Sequence, residues 1–223
     1  MSLPPPLPTA AVRRFIAVEG PIGVGKTTVA RRLAEILGAD LLLEDAEANP
    51  FLDRFYAGRE GAALPTQLFF LFQRLQQLAS LRPDEPTAGG RVADWMLAKD
   101  PLFAELTLTP AEFALYQQVY RHAVQAPMAP DLVIYLQAPV PVLLQRIAQR
   151  GRRTEQAIRA DYLERVAAAY VRHFHDYEAS PLLIVNAEEV DFARSDADLA
   201  ELVGALDRVR AGRHYLNLAA PGV

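Results

Sequence analysis

Residues 20–27 read GPIGVGKT, and no other string in the chain limits its fold so tightly. The spacing is G-x-x-x-x-G-K-[ST], the P-loop pattern. Gly20, Gly23 and Gly25 let the backbone turn its N–H groups inward around phosphate oxygens, where side chains would block the approach. Lys26 reaches for the outer phosphates, and Thr27 offers a hydroxyl to Mg²⁺. Thr28 follows in the helix whose N-terminal dipole faces the anion. The flanks agree with the motif: the apolar run Phe15–Glu19 (FIAVE) precedes it, and a helical pattern from Lys26 to Leu37 follows. A strand, a glycine loop and a helix in that order point to an α/β chain that binds a nucleoside triphosphate.

The rest of the chain alternates in the same way. Strand candidates are Asp40–Leu43, Arg91–Asp94, Leu132–Gln137 (LVIYLQ) and Leu182–Asn186. Helical stretches lie at Pro65–Leu81, Pro110–Val124, Pro141–Arg150, Glu155–Tyr177 and Asp196–Arg210. Thr109, Pro110 and Glu112 form a capping-box signature at one helix start. Short apolar runs separated by helices predict a parallel sheet covered on both faces. Residues 1–11, with their prolines, read as a flexible arm, 12–212 as one domain, and 213–223 as a peripheral tail.

Composition removes several functions. A net charge of −4 argues against a nucleic-acid partner or a polybasic membrane anchor. The absence of cysteine excludes disulfides, thiolate catalysis and Cys-ligated metals. No apolar stretch reaches the roughly 18 residues of a membrane span, and the first residues lack a signal-peptide core. A cytoplasmic protein is expected.

A P-loop chain of this length suits a small-molecule kinase, which needs cations over the transferring phosphate. Arg146, Arg150, Arg152 and Arg153 cluster in LLQRIAQRGRR, at a helix end closed by glycine. Such a cluster is either a solvated basic end favoured by the helix dipole or an arginine-bearing lid.

The segments EGPIGVGKTT, LLLEDAEANPFLDRFY, QLFFLFQR, PDLVIYLQAPVPVLLQRIAQRGRRTEQAI and LLIVNAEEVDF follow one another between about Phe15 and Phe192. In order and spacing this set resembles the deoxynucleoside kinase family. The resemblance implies an α/β P-loop kinase fold with a five-stranded parallel sheet, helices on both faces and an arginine-rich lid. It further implies ATP or another nucleoside triphosphate as donor, Mg²⁺, a deoxynucleoside acceptor and a homodimer. On matching positions, Glu44 is the acid that takes or orients the proton of the 5′-hydroxyl, and Arg146, Arg150 and Arg152 belong to the lid. Tyr56 and Glu155 match the pair on the sugar 3′-hydroxyl. Gln67, Arg74 and Asp100 match the readers of the base, a set closer to the purine and deoxycytidine kinases than to the thymidine-preferring branch. Phe51, Phe69, Phe70 and Phe72 stand near enough to wall a base pocket. Asp191 and Phe192 lie in the loop that matches the family's contact with the donor adenine.

The third strand ends in Asp94, which matches a family acid at the metal and phosphates. The family follows it with arginine and serine, whereas this chain has Trp95 and Met96. An indole offers one N–H and a stacking face and cannot replace a guanidinium at a phosphate. Lys99, four residues on, supplies the missing cation if the segment is helical. Otherwise a lid arginine covers the gap, or the chain is a weakened relative that binds nucleotides and acts through a partner. A nucleoside-monophosphate kinase is the remaining alternative. His173 and His175 are two apart and fall on different helix faces, so they are read as surface residues rather than metal ligands.

Overall fold

The computed structural model describes residues 15–80, 89–124 and 129–218. The proline-rich arm expected at 1–11 lies outside them. Six strands form one wholly parallel sheet: β1 (Phe15–Glu19), β2 (Asp40–Leu42), β3 (Arg91–Ala93), β4 (Leu132–Gln137), β5 (Leu182–Asn186) and β6 (Arg213–Asn217). Their spatial order is β2-β3-β1-β4-β5-β6. Ile16 registers with Val92 on one side and Leu132 on the other, so β1 lies in the middle of the sheet.

Side chains alternate along the strands, and each face has its own helices. Ile16, Val18, Leu132, Ile134 and Leu136 pack with helices α1 (Lys26–Leu37), α6 (Val140–Arg150) and α8 (Asp196–Leu206). Ala17, Val133 and Tyr135 face Val166, Tyr170 and Phe174 of α7 (Ala160–His175). Beyond α7 stand α4 (Lys99–Thr107), α3 (Ala63–Ser80) and α5 (Pro110–Ala123), in mutual contact. The α/β class and the two-faced cover agree with the sequence reading.

Several elements depart from it. The sheet has six strands rather than five, because residues 213–217, expected in a peripheral tail, pair with β5 from Leu182↔Arg213 to Asn186↔Asn217. Only Leu216 of this strand is buried, so its apolar signal is weak. The single helix expected over 155–177 is divided into a 3₁₀ turn, Arg153–Ala157, and α7; Ile158 and Arg159, both with extended backbone, separate them. Two short helices, α2 (Leu52–Tyr56) and α4, arise where no helix was assigned. Pro101 is the third residue of α4, within the first turn, where a missing N–H costs no helical bond. The capping box of α5 forms as expected: Thr109 accepts from Glu112 N, and Glu112 accepts from Thr109 N at 2.9 Å. Among the described residues no helix is long and apolar enough to cross a membrane.

Candidate active site

The C-terminal ends of β1, β2 and β3 open into one cleft, beside the point where the strand order reverses: from β1 the chain runs out to β2 and β3 on one side, and it then crosses to β4 on the other. Ligands of open α/β sheets bind at such switch points. The P-loop joins β1 to α1 there, and its glycines are required by geometry. Gly20 has φ +144°, and a Cβ on it would stand 2.4 Å from the carbonyl oxygen of Leu136. Gly23 has φ +86°, and its Cβ would meet the carbonyl oxygen of Leu143 at 2.8 Å. Lys26 Nζ donates to the carbonyl oxygens of Gly20 at 2.8 Å and Pro21 at 3.2 Å. Thr27 Oγ1 donates to Asp94 Oδ2 at 2.6 Å, and Asp94 Oδ1 accepts from the backbone N–H of Glu44 at 2.8 Å. Asp94 therefore ties the P-loop helix to the end of β2.

A cavity opens from this point. Its walls include Lys26, Thr27, Glu44, Asp94, Tyr56, Gln67, Arg74, Arg150, Arg152 and Glu155, so most of the residues singled out in the sequence meet in one place. Lys99 is there as well. Arg74 is buried and bridges two acids, Glu44 through Nη2 and Asp100 through Nη1. Asp100, expected to read the base, lies behind Arg74 instead of on the wall, with Oδ2 unpartnered. Gln67 Nε2 donates to Thr107 Oγ1 at 3.1 Å, and that hydroxyl donates to the carbonyl oxygen of Phe103. The single hydroxyl proton is thereby used, which fixes the Gln67 amide with its NH₂ toward Thr107. Of the four phenylalanines expected at a base pocket only Phe70 lines the cavity, under the Arg74 guanidinium at 5.3 Å; Phe55 and Phe103 join it, and Phe72 is half exposed.

Charge is concentrated in this cleft. Burial alone would raise the Glu44 carboxyl, but Arg74, Lys99 and Lys26 outweigh it and hold the pKa at about 2. Burial, reinforced by Lys99, brings Lys26 down to about 8 against the attraction of Glu19, Glu44 and Asp94. Burial raises the Tyr56 hydroxyl well above its ordinary range, so it remains a protonated donor beside Glu155.

A second, more open cavity lies on the other side of the P-loop. Gly23, Gly25, Thr28, Arg146, Asp191 and Phe192 line it, and Gly23 and Arg150 border both cavities. The arginines expected to form a lid take different partners. Arg150 binds Glu155 through Nε at 3.0 Å and through Nη2, and Arg152 approaches Glu47 at 3.3 Å and Glu155 at 3.7 Å. Arg146 turns away from the first cavity and donates to the carbonyl oxygens of Ala187 at 2.8 Å and Val190 at 2.9 Å, holding the loop after β5. Arg153 is exposed beside Asp53.

The buried acid Glu19 had no role in the sequence reading. It accepts from Met96 N at 2.6 Å, from Gly20 N at 3.3 Å and from Tyr170 Oη at 2.8 Å. An acid closing an otherwise apolar strand was the available signal. Thr107 and Tyr170 carried none, since their partners lie 40 and 151 residues away in sequence. His175 is exposed, but His173, expected at the surface, is half-buried against Phe174 and Tyr177, with Nε2 buried and unpartnered. Among the described residues there is no group of three or more His, Cys, Asp or Glu side chains placed to hold a metal.

Comparison with known proteins gives the same chemistry. The deoxynucleoside kinase family model matches residues 16–209. The deoxyguanosine kinase of Bacillus subtilis (strain 168) is 35% identical over 197 residues, covering 84% of this chain and 93% of that protein. The deoxyadenosine/deoxycytidine kinase of the same organism is 29% identical over 203 residues, covering 87% and 92%. A solved structure of deoxyadenosine kinase from M. mycoides with bound dATP superposes with a TM-score of 0.75 at 25% identity, covering 87% of this chain and 99% of that one. The family match runs from the second residue of β1 to beyond α8 and takes in both cavities, and the chain belongs to the deoxynucleoside kinase family.

Proposed function

We propose that this deoxynucleoside kinase transfers the γ-phosphate of ATP, with Mg²⁺, to the 5′-hydroxyl of a purine deoxynucleoside. The observation that carries the reading is the position of Glu44, an ionised carboxylate at the end of β2 that shares a cavity with Lys26, Thr27 and the polar groups of Gln67 and Arg74. The acceptor oxygen attacks the γ-phosphorus, the bridging P–O bond to the β-phosphate breaks, ADP leaves, and the hydroxyl proton passes by way of Glu44 to solvent. A carboxylate with a pKa near 2 is a weak base, which suits a transition state in which the phosphoryl group is largely detached before the proton moves. Its main task is then to orient the hydroxyl.

Thr27 and Asp94 present hard oxygen atoms in direct contact beside Lys26, a donor set that fits Mg²⁺, an ion that keeps several waters and takes phosphate oxygens as further ligands. When bound, the ion neutralises phosphate charge. Tyr56 and Glu155 would hold the sugar, and Gln67 and Arg74, backed by Asp100, the base. The purine preference is supported by relatives named for deoxyguanosine and for deoxyadenosine, the latter named for deoxycytidine as well. A homodimer is supported by Phe72 on α3 and Leu115 on α5, large apolar side chains left half exposed on neighbouring helices.

The test is a phosphoryl-transfer assay with Mg-ATP and each of the four deoxynucleosides. Turnover is expected with deoxyguanosine or deoxyadenosine, and Glu44→Gln should lower kcat about 10²–10⁴-fold with nucleoside binding retained. Lack of turnover with all four, in protein that binds ATP, overturns the proposal.

A further inference from the structure

Lys99 is the first residue of α4, and its ammonium stands between two carboxylates, 3.6 Å from Glu44 Oε2 and 3.7 Å from Glu19 Oε1. Its side chain is 5% exposed, yet it borders the cavity that holds Lys26, Thr27 and Asp94. Both separations exceed hydrogen-bond length, so attraction holds the ammonium while its three N–H donors stay available.

The other cations of the cavity are committed. Arg74 bridges Glu44 Oε1 and Asp100, and Lys26 is bonded to two P-loop carbonyls. Arg150 and Arg152 are paired with Glu155. Glu44 Oε2 has Lys99 as its cation.

Trp95 does not compete for this place. Its ring is fully buried with Phe15 and Ala93, against Leu42 and Leu78, and its N–H donates to Gln77 Oε1 at 3.0 Å. The indole faces the core between β2 and α3, and four residues later the start of α4 turns Lys99 toward the cleft. Glu19 anchors the far side of the ammonium, and its own rigidity comes from Met96 N, Gly20 N and Tyr170 Oη.

We propose that Lys99, hung on Glu19, is the positioning residue of the acceptor side: it fixes Glu44 Oε2 and brings a positive charge with uncommitted N–H donors to the corner where the acceptor hydroxyl reacts. The inference rests on the kinase reading given above. It gives the chain a cation at the acid without the arginine that the family resemblance places directly after Asp94.

The test compares wild type, Lys99→Met, Lys99→Arg and Lys99→Ala in the full chain, with kcat and KM measured separately for nucleoside and ATP. Lys99→Met should lose about 10²–10³-fold in kcat, the range for removing one preorganised donor, with both KM values within about threefold of wild type. Lys99→Arg keeps the charge and should retain most of kcat. Lys99→Ala opens a space at the cavity wall, and propylammonium chloride should restore at least about tenfold in kcat, while propanol should not. Far-UV circular dichroism and ATP binding establish that each variant is folded. If Lys99→Met does not fold, the amine and alcohol comparison on Lys99→Ala decides alone. A Lys99→Met enzyme with near wild-type kcat overturns the inference, as does a loss confined to KM. Equal rescue by amine and alcohol also overturns it, because it shows that volume rather than charge was missing. A wild type inactive on all four deoxynucleosides overturns the kinase reading instead.

Discussion

Trp95→Arg would restore the residue that the family resemblance places after the strand's acid, and the structure requires that it harm the protein. The indole is fully buried, and removing a packed aromatic side chain of this kind costs about 3–5 kcal/mol. The three methylenes of arginine recover about 2 kcal/mol of that burial. The guanidinium then lies among Phe15, Leu42, Leu78 and Ala93 with Gln77 Oε1 as its acceptor, and an unpaired buried charge costs about 3–5 kcal/mol. The net loss is about 4–8 kcal/mol, which for a chain of this size lowers Tm by about 10–30 °C. Thermal denaturation followed by circular dichroism measures it, with kcat determined well below the transition. Trp95→Phe is the control: it keeps the aromatic packing and leaves Gln77 Oε1 unpaired, for about 1–3 kcal/mol. If Trp95→Arg melts within about 3 °C of wild type and turns over faster, a side chain at 95 reaches the site, and the separation of Trp95 from Lys99 is wrong.

Lys26, near 8 in the free protein, should gain a proton when a polyphosphate arrives, because the anion favours the charged ammonium and raises its pKa. ATP affinity should therefore fall as pH rises through about 8, and calorimetry at pH 8 to 8.5 in buffers of different ionisation enthalpy should show proton uptake; zero exchange or release contradicts the assignment. Thr109→Ala removes the capping box of α5 and should cost about 1 kcal/mol in urea denaturation with kcat unchanged, since the residue is outside both cavities.

The parts of the site that were legible in sequence are those whose partners are set by the strand-loop-helix unit itself. The P-loop announces Lys26 and Thr27, and the ends of β2 and β3 announce Glu44 and Asp94, because parallel strands deliver their C-terminal residues to one edge. Lys99 reaches the cleft by another route than the one read in sequence: the expectation needed a helix running from Trp95, whereas α4 begins at Lys99, in a stretch, KDPLFAELT, with little apolar periodicity to advertise it. Arg146 could not be placed this way. A guanidinium four residues from Arg150 shares its face in principle, but the loop after β5 offers carbonyl oxygens that the sequence does not display as acceptors. Asp100 illustrates the same limit, since whether it meets a ligand or stands behind Arg74 depends on packing between α3 and α4. The sixth strand escaped because an edge strand with one buried residue gives almost no alternation to detect.

The bonds from Lys26 to Gly20 and Pro21 divide the work of its ammonium. Two of its three N–H donors fix the P-loop's own carbonyl oxygens, and the third remains for an anion. A small anion such as chloride or inorganic phosphate meets that donor at a single centre of charge. A polyphosphate meets it and spreads its other oxygens over the loop amides. ATP binding should therefore resist competition by small anions, which titration of ATP in chloride and in phosphate buffers checks.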